Sequence, residues 1–308
     1  MTTFKVGNVT IRRIEEVLEL GYPPEFMLVG FDPAMLDRHP IAADQRFYDK
    51  SSGRSWSSIH SWLLEIDGKT ILIDTCSGNG KARALPIFQR FHMLDLPSLD
   101  NLAAAGISVE DVDIVFCTHL HIDHVGWNTR RDGDAWAPTF PNARYIFGRA
   151  EYEHWTGDGE GPQVFPENAA VIEDSVLPIA EAGMMELIDA GEEIMPGLRV
   201  EAAPGHTKDQ LIVKYESGAG SFVISADVLH NPVQVYEPFV TSRFCEYPDL
   251  AEQTRRNLLA YCAERDALLL PMHFGAPHAG RIARTASGYE FLPETAVDET
   301  IKRDLSQT

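Results

Sequence analysis

Basic residues are scarce in this chain: 26 Lys and Arg stand against 46 Asp and Glu in 308 residues. A phosphate backbone needs a concentrated basic surface, so we expect no nucleic-acid partner and read the acidic surplus as solubility. Cysteine is also rare. Cys76, Cys117, Cys245 and Cys262 are widely scattered, without zinc-knuckle spacing, and Cys117 and Cys262 lie in apolar patterns, which predicts thiols rather than disulfides. No apolar run approaches the ~18 residues that span a bilayer. The start, Met1-Thr2-Thr3-Phe4-Lys5, lacks the basic head and apolar core of a signal peptide, so the expectation is a cytoplasmic protein with no membrane partner. No short-period repeat or low-complexity tract is present, and 1–308 is read as one domain.

Against this background one stretch stands out. Thr118-His119-Leu120-His121-Ile122-Asp123-His124-Val125-Gly126 packs four metal-binding side chains into six residues. Neutral imidazoles mixed with a carboxylate suit zinc and other borderline first-row ions, whereas calcium wants oxygens alone and blue copper wants Cys and Met. Val112, Ile114, Val115, Phe116 and Cys117 precede the cluster as a β-branched apolar run, which predicts a buried strand with the ligands starting at its end. On extended backbone His119 and His121 would point to one side and grip one ion, because side chains alternate with period two. Asp123 and His124 would follow where the chain turns and could reach a second ion.

Further candidates recur at predicted strand ends. Leu198, Val200 and Ala202 lead into Pro204-Gly205-His206-Thr207, Phe222-Val223-Ile224 leads into Ser225-Ala226-Asp227, and Leu268-Leu269-Leu270 leads into Pro271-Met272-His273. Asp74 ends Ile71-Leu72-Ile73 and can either hold a metal-bound imidazole or cap the following turn. His39, His60, His92, His154 and His278 have no ligand-like context and read as structural or surface residues.

The order H-x-H-x-D-H, G-H-T, strand-end Asp, strand-end His resembles the dinuclear zinc hydrolases of the metallo-β-lactamase fold, nearest to the lactonase and methyl-parathion-hydrolase-like branch. The likeness runs from about residue 58 to 285. It implies an α/β fold, a four-layer αβ/βα sandwich of two mixed sheets with outer helices. It also implies two Zn2+ ions, with Mn, Fe or Co as alternatives: His119, His121 and His206 on one, Asp123, His124 and His273 on the other, and Asp227 between them. The implied reaction opens a lactone or cleaves a carboxylic ester by attack of a hydroxide held between the ions, Asp123 passing a proton to the leaving alkoxide.

Aryl ester, carbamate and organophosphate hydrolysis is the main rival, since the same ions serve it. A β-lactamase, a thioesterase, an iron persulfide dioxygenase and a metal-free binding module rank lower. Zinc β-lactamases generally lack the bridging carboxylate, and flavodiiron oxygen reductases place Glu where this chain has His121. His230 follows Asp227 by three residues, where the acyl-homoserine lactonases carry a tyrosine that contacts the substrate carbonyl. It is assigned a catalytic and substrate-binding role beside Asp123 and Asp227.

Elsewhere, hairpins are expected at Gly7-Asn8 and Asp67-Gly68, and a helix from Pro248 to about Glu264 with Ala251, Thr254, Leu258, Tyr261 and Cys262 buried and Glu252, Arg255 and Arg256 in water. Residues 20–57 hold too many breakers for a regular element, yet many large apolar side chains, and predict an irregular loop or arm. Such a loop must bury its side chains on the domain, on a homodimer partner or on substrate. Phe26, Phe31, Phe47 and Trp56 from this loop, with Trp127, His230 and Phe274, are the candidate walls for a small, neutral, hydrophobic substrate.

Overall fold

The computed structural model describes residues 2–157, 159–161 and 165–294. Two sheets follow one another along the chain. The first contains β1 (Thr3–Val6), β2 (Val9–Leu20), β3 (Arg54–Ile66), β4 (Lys69–Ile73), β5 (Ile114–Cys117), β6 (Arg144–Gly148) and β7 (Met185–Ile188), neighbours in the order of the chain. Its first four strands pair antiparallel and its last four parallel. The second contains β8 (Glu193–Met195), β9 (Leu198–Ala202), β10 (Leu211–Ser217), β11 (Gly220–Ile224), β12 (Leu268–Leu270), β13 (Gly280–Thr285) and β14 (Gly288–Pro293), again in chain order. All its pairs are antiparallel except β11 with β12.

Parallel neighbours need crossovers, and helices supply most of them. Ser98–Ala104 lies between β4 and β5, Arg149–Trp155 and Asn168–Ser175 between β6 and β7, and Pro248–Arg265 between β11 and β12. Alternation along the strands then sorts the core into layers. Trp62, Leu64, Ile114 and Phe116 meet Leu198, Val213, Phe222 and Ile224 between the sheets. The opposite residues, Leu63, Val115 and Cys117, pack outward with Leu102, Val171 and Ile172 of the helices. On the far side Val223 and Leu269 pack with Leu258, Leu259 and Cys262 of the long helix. The expected helix, sheet, sheet, helix layering is present.

Both hairpins form where expected. At Asp67-Gly68 both residues have positive φ, 48° and 75°, the conformation that matches the right-handed strand twist in a two-residue turn. The helix Pro248–Arg265 also forms, with two corrections: Thr254 and Tyr261 are only half-buried, and Arg255 is wholly buried rather than solvated. Its Nε donates to the carbonyl of Val228 at 2.9 Å and its Nη1 to that of Pro238 at 2.6 Å. A helix-face pattern read arginine by its charge, whereas here the guanidinium serves the carbonyls of Val228 and Pro238.

The loop between β2 and β3 packs on the chain itself. Leu28–Val29 pairs antiparallel with Thr241–Ser242, and Leu28, Met35 and Ala42 form an apolar cluster with Val233 and Val240. All four cysteines are free thiols, and among the described residues no helix is long and apolar enough to cross a membrane.

Candidate metal centre

Four loops meet at one end of the sandwich. After β5 the chain does not continue extended as expected; it bends at Thr118 and His119 and turns through 122–124, with His124 N–H bonded to the His121 carbonyl at 3.1 Å. The imidazoles therefore converge through a turn and not through strand alternation. The turn is laced to the segment after β4: Thr75 N–H reaches the His124 carbonyl, Gly126 N–H that of Cys76, and Trp127 N–H that of Thr75. Gly126 is needed here, since a Cβ on it would lie 1.9 Å from the Ser77 carbonyl oxygen. Asp74, wholly buried, is placed for the first of the roles left open for it, orienting the His124 ring, while instead of capping the turn that follows it, it ties down the bend after β5. Its carboxylate accepts the Thr118 N–H at 2.7 Å and hydroxyl at 2.8 Å, and lies 2.8 Å from His124 Nδ1.

The second sheet delivers the rest. Gly205, at φ 128° and pressed against Ala251 N of the long helix, brings His206 inward. Asp227 sits in a short turn after β11, its N–H held by Gln210 Oε1 at 3.1 Å. His273 follows β12 and lies with Nδ1 3.0 Å from the Ser58 carbonyl, which fixes its ring.

Asp227 is the centre of the resulting cluster. Its Oδ2 lies 3.2 Å from His206 Nε2, 3.9 Å from His119 Nε2 and 3.1 Å from His230 Nε2. Its Oδ1 lies 3.3 Å from His124 Nε2 and 3.0 Å from His273 Nε2. Asp123 borders the Oδ1 side, 3.6 Å from His124 Nε2 and 3.9 Å from His273 Nε2. His121 joins the other side, with Nδ1 2.9 Å from His206 Nε2. His119/His121/His206, His119/His124/Asp227, Asp123/His124/His273 and His206/Asp227/His230 each offer donor atoms within 4.8 Å of one another.

These residues fit divalent cations. His119 Nε2, His121 Nε2 and His124 Nε2 are buried without a well-formed hydrogen bond, a state that is unfavourable for polar atoms unless a cation satisfies them. Burial holds His119 and His206 well below the usual imidazole range and His121 down to about 4, so all three are neutral, the form that binds metal. Burial would lower His124 and His273 too, but the carboxylates of Asp227 and Asp123 outweigh it and raise both. Burial likewise opposes ionisation of Asp227, and the surrounding histidines, His273 and His124 foremost, overcome it and hold the carboxyl well below its ordinary range.

Glu151, missed in the sequence, braces both histidine loops. One carboxyl oxygen accepts Leu120 N–H at 3.1 Å and Trp155 Nε1 at 2.7 Å, and the other lies 2.7 Å from the Thr207 hydroxyl. Burial pushes its pKa up to about 7, against 4.5 for a free Glu. The folded protein thus keeps this proton to higher pH than the unfolded chain does, so the associated stability is complete below about 4.5 and is lost as pH rises towards 7. In chelator-treated protein, Glu151→Gln should therefore gain stability relative to the parent between pH 5 and pH 8, by up to about 3 kcal/mol. Denaturant titrations at both pH values test this, and a pH-independent difference would contradict it.

A cleft of about 970 Å³, including its open mouth, leads down to the cluster. His121, Asp123, His206, Asp227, His230 and His273 line its floor. Of the other expected wall residues only Trp56 lines it. Phe47 and Phe274 are buried in the outer core of the second sheet, where they meet Phe291, and Trp127 is buried in the outer core of the first, donating to Glu16 Oε1 at 2.8 Å. Phe31 packs against the Leu28 and Met35 cluster, and Phe26 against Tyr22 and the Arg243 guanidinium. The walls come instead from Tyr22, Met27, Ile59, Phe88, Phe91, Phe165, Val171 and Phe244. The remaining histidines have structural partners: His154 lies 3.1 Å from Glu246, His60 Nδ1 2.8 Å from the Ser58 hydroxyl, and His278 Nδ1 2.8 Å from the Phe274 carbonyl.

Known proteins share this fold. An N-acyl homoserine lactonase of Bacillus sp is 25% identical over 190 residues, 58% of this chain and 67% of that protein. A hydrolase of the beta lactamase superfamily, AbOPH, superposes with a TM-score of 0.79 at 21% identity, over 96% of this chain and 98% of its own. AidC, a dizinc quorum-quenching lactonase solved with a homoserine product, gives 0.77 at 19% identity over the same shares. A family model described as the metallo-beta-lactamase superfamily matches residues 54–273, well over half of the sequence and a range within which the seven candidate ligands fall, and the chain belongs to that superfamily.

Proposed function

We propose that this protein is a dinuclear zinc hydrolase that opens lactones or cleaves carboxylic esters of small, neutral, hydrophobic substrates. The observation that carries the reading is the Asp227 carboxylate, with one oxygen facing His119 and His206 and the other facing His124 and His273, at the floor of an apolar cleft. Two cations at such a pair of sites generate a nucleophile from water near neutral pH and polarise a carbonyl. The protein's part is placement: Asp227 keeps the two donor groups in register, and Asp74 and the Ser58 carbonyl fix the rings of His124 and His273. Asp123 is the most exposed of the seven, with 16% of its side chain open, and its position on the cleft floor suits transfer of a proton to a leaving alkoxide. The likeness to an N-acyl homoserine lactonase supports a lactone as substrate.

The aromatic lining favours one rival, an aryl ester, carbamate or phosphotriester hydrolase, because Tyr22, Trp56, Phe88, Phe91, Phe165 and Phe244 offer ring faces to an aryl group. A panel of lactones, alkyl and aryl esters, carbamates, phosphotriesters, thioesters and β-lactams, assayed on zinc-loaded protein, separates the two. Lactones should give the highest kcat/KM; a phosphotriester or aryl carbamate turned over more than tenfold faster would favour the rival. In the same panel Trp56→Ala should raise KM for substrates with large apolar groups by roughly tenfold, the loss of a buried apolar contact of 1–2 kcal/mol, with zinc content unchanged. An unchanged KM across the panel would remove Trp56 from the substrate wall.

A further inference from the structure

His230 lies outside the seven-ligand pattern, yet the same carboxylate oxygen that faces His206 and His119 faces it as well. We propose that His230 is a protein ligand of the ion held by His119, His121 and His206, an inference that rests on the dinuclear reading above. That ion then has five protein donors, including Asp227, against four on the side of Asp123, His124 and His273.

Position is the first argument. His230 Nε2 is 3.1 Å from Asp227 Oδ2, while His206 Nε2 is 3.2 Å from that oxygen. Donors that share an ion at about 2.0–2.2 Å sit about 3 Å apart, so both spacings suit a common cation. His206, Asp227 and His230 also present donor atoms within 4.8 Å of one another. The ring lies 5.0 Å from that of His206 and stacks on that of His273 at 5.3 Å, so it sits between histidines of both donor groups.

Rigidity is the second. A side chain that served only incoming substrate could stand on a loose loop, but the backbone turn that carries this one is held. The His230 and Asn231 N–H groups both donate to Gln234 Oε1, at 2.7 and 3.1 Å, and the Gln234 amide in turn donates to the Val240 carbonyl at 3.1 Å. Asn231 Nδ2 ties the same turn to Ser55 Oγ at 3.0 Å, and the buried Arg255 holds the preceding Val228 carbonyl. Only 5% of the His230 side chain is open to solvent. Preorganisation of this kind is what a metal ligand requires. With five protein donors on one ion, an ion held by Asp123, His124 and His273 would be the one left more open to a substrate oxygen.

The test compares parent, His230→Phe and His230→Gln as cobalt-loaded proteins, by competition against a chromophoric chelator and by visible absorption at saturating Co2+. If His230 is a ligand, both variants bind one of the two cobalt ions at least 100-fold more weakly, keep the other, and show an altered ligand-field band even at saturation. Gln retains a hydrogen-bonding amide without the imidazole nitrogen, so a His230→Gln protein with parental affinity and spectrum would overturn the inference and reduce His230 to a hydrogen-bond donor. Two parental-strength ions in both variants would overturn it equally. Fewer than two ions in the parent itself would mark failure of the dinuclear reading, and the inference would fall with it.

Discussion

Asp227→Asn should keep the fold and lose on the order of 100-fold or more of the hydrolytic activity. Both oxygens of this carboxylate are engaged, one toward each group of imidazoles, and its negative charge is held in place by the histidines that surround it. An amide supplies one acceptor and one donor, and its N–H would be directed at donor nitrogens that have to face a cation. The backbone anchor is independent of the side chain, since Asp227 N–H bonds to Gln210, so the turn after β11 should survive the change. Steady-state kinetics on the best lactone, with circular dichroism as the control for folding, measures the effect. Turnover within a few-fold of the parent, at parental metal content, would show that the carboxylate does not hold the reactive centre together.

Asp74→Ala should weaken metal binding by roughly 10–100-fold, the loss found when the outer partner of a metal-bound imidazole is removed. It should also destabilise the fold by a few kcal/mol, because the Thr118 N–H and His124 Nδ1 lose a buried partner together, each worth about 1–3 kcal/mol. Asp74 is wholly buried at a positive φ of 57°, so it sits at the joint where β4 and β5 release the two segments that carry the site. Chelator competition reads the first effect and denaturant unfolding the second. Lost stability with unchanged metal affinity would reduce Asp74 to a tie on the bend after β5.

What could be read in the letters was whatever local periodicity or spacing encodes. Buried strands such as Ile114–Cys117 announced themselves as β-branched apolar runs, the two hairpins by Gly7-Asn8 and Asp67-Gly68, and the cluster by the density of His and Asp between 119 and 124. The convergence of His206, Asp227 and His273 on that cluster followed from their common place after strands. The backbone path was misread: period two was extended past Cys117, whereas the chain bends at Thr118 and His119, turns through 122–124 and comes into close contact with Ser77 at Gly126. Gly126 itself was the available signal, since a glycine closing such a motif marks an approach too tight for a Cβ. Arg255 and Glu151 were missed for a different reason. Their partners are the carbonyls, N–H groups and hydroxyl of loops distant in sequence, and nothing in a helix pattern marks a buried charge with distant partners. The cleft walls were least legible, because Tyr22, Phe88, Phe165 and Phe244 come from four separate segments without a shared period. Large aromatics such as Phe47 and Phe274 were as well suited to a core, and the core took them.

The most direct test of the account is the number of metal ions per chain, by elemental analysis of zinc-loaded parent and Asp227→Ala protein. Two groups of donors joined by one carboxylate predict close to two ions per chain in the parent and fewer in the variant. One ion per chain in the parent, unchanged in Asp227→Ala, would contradict it.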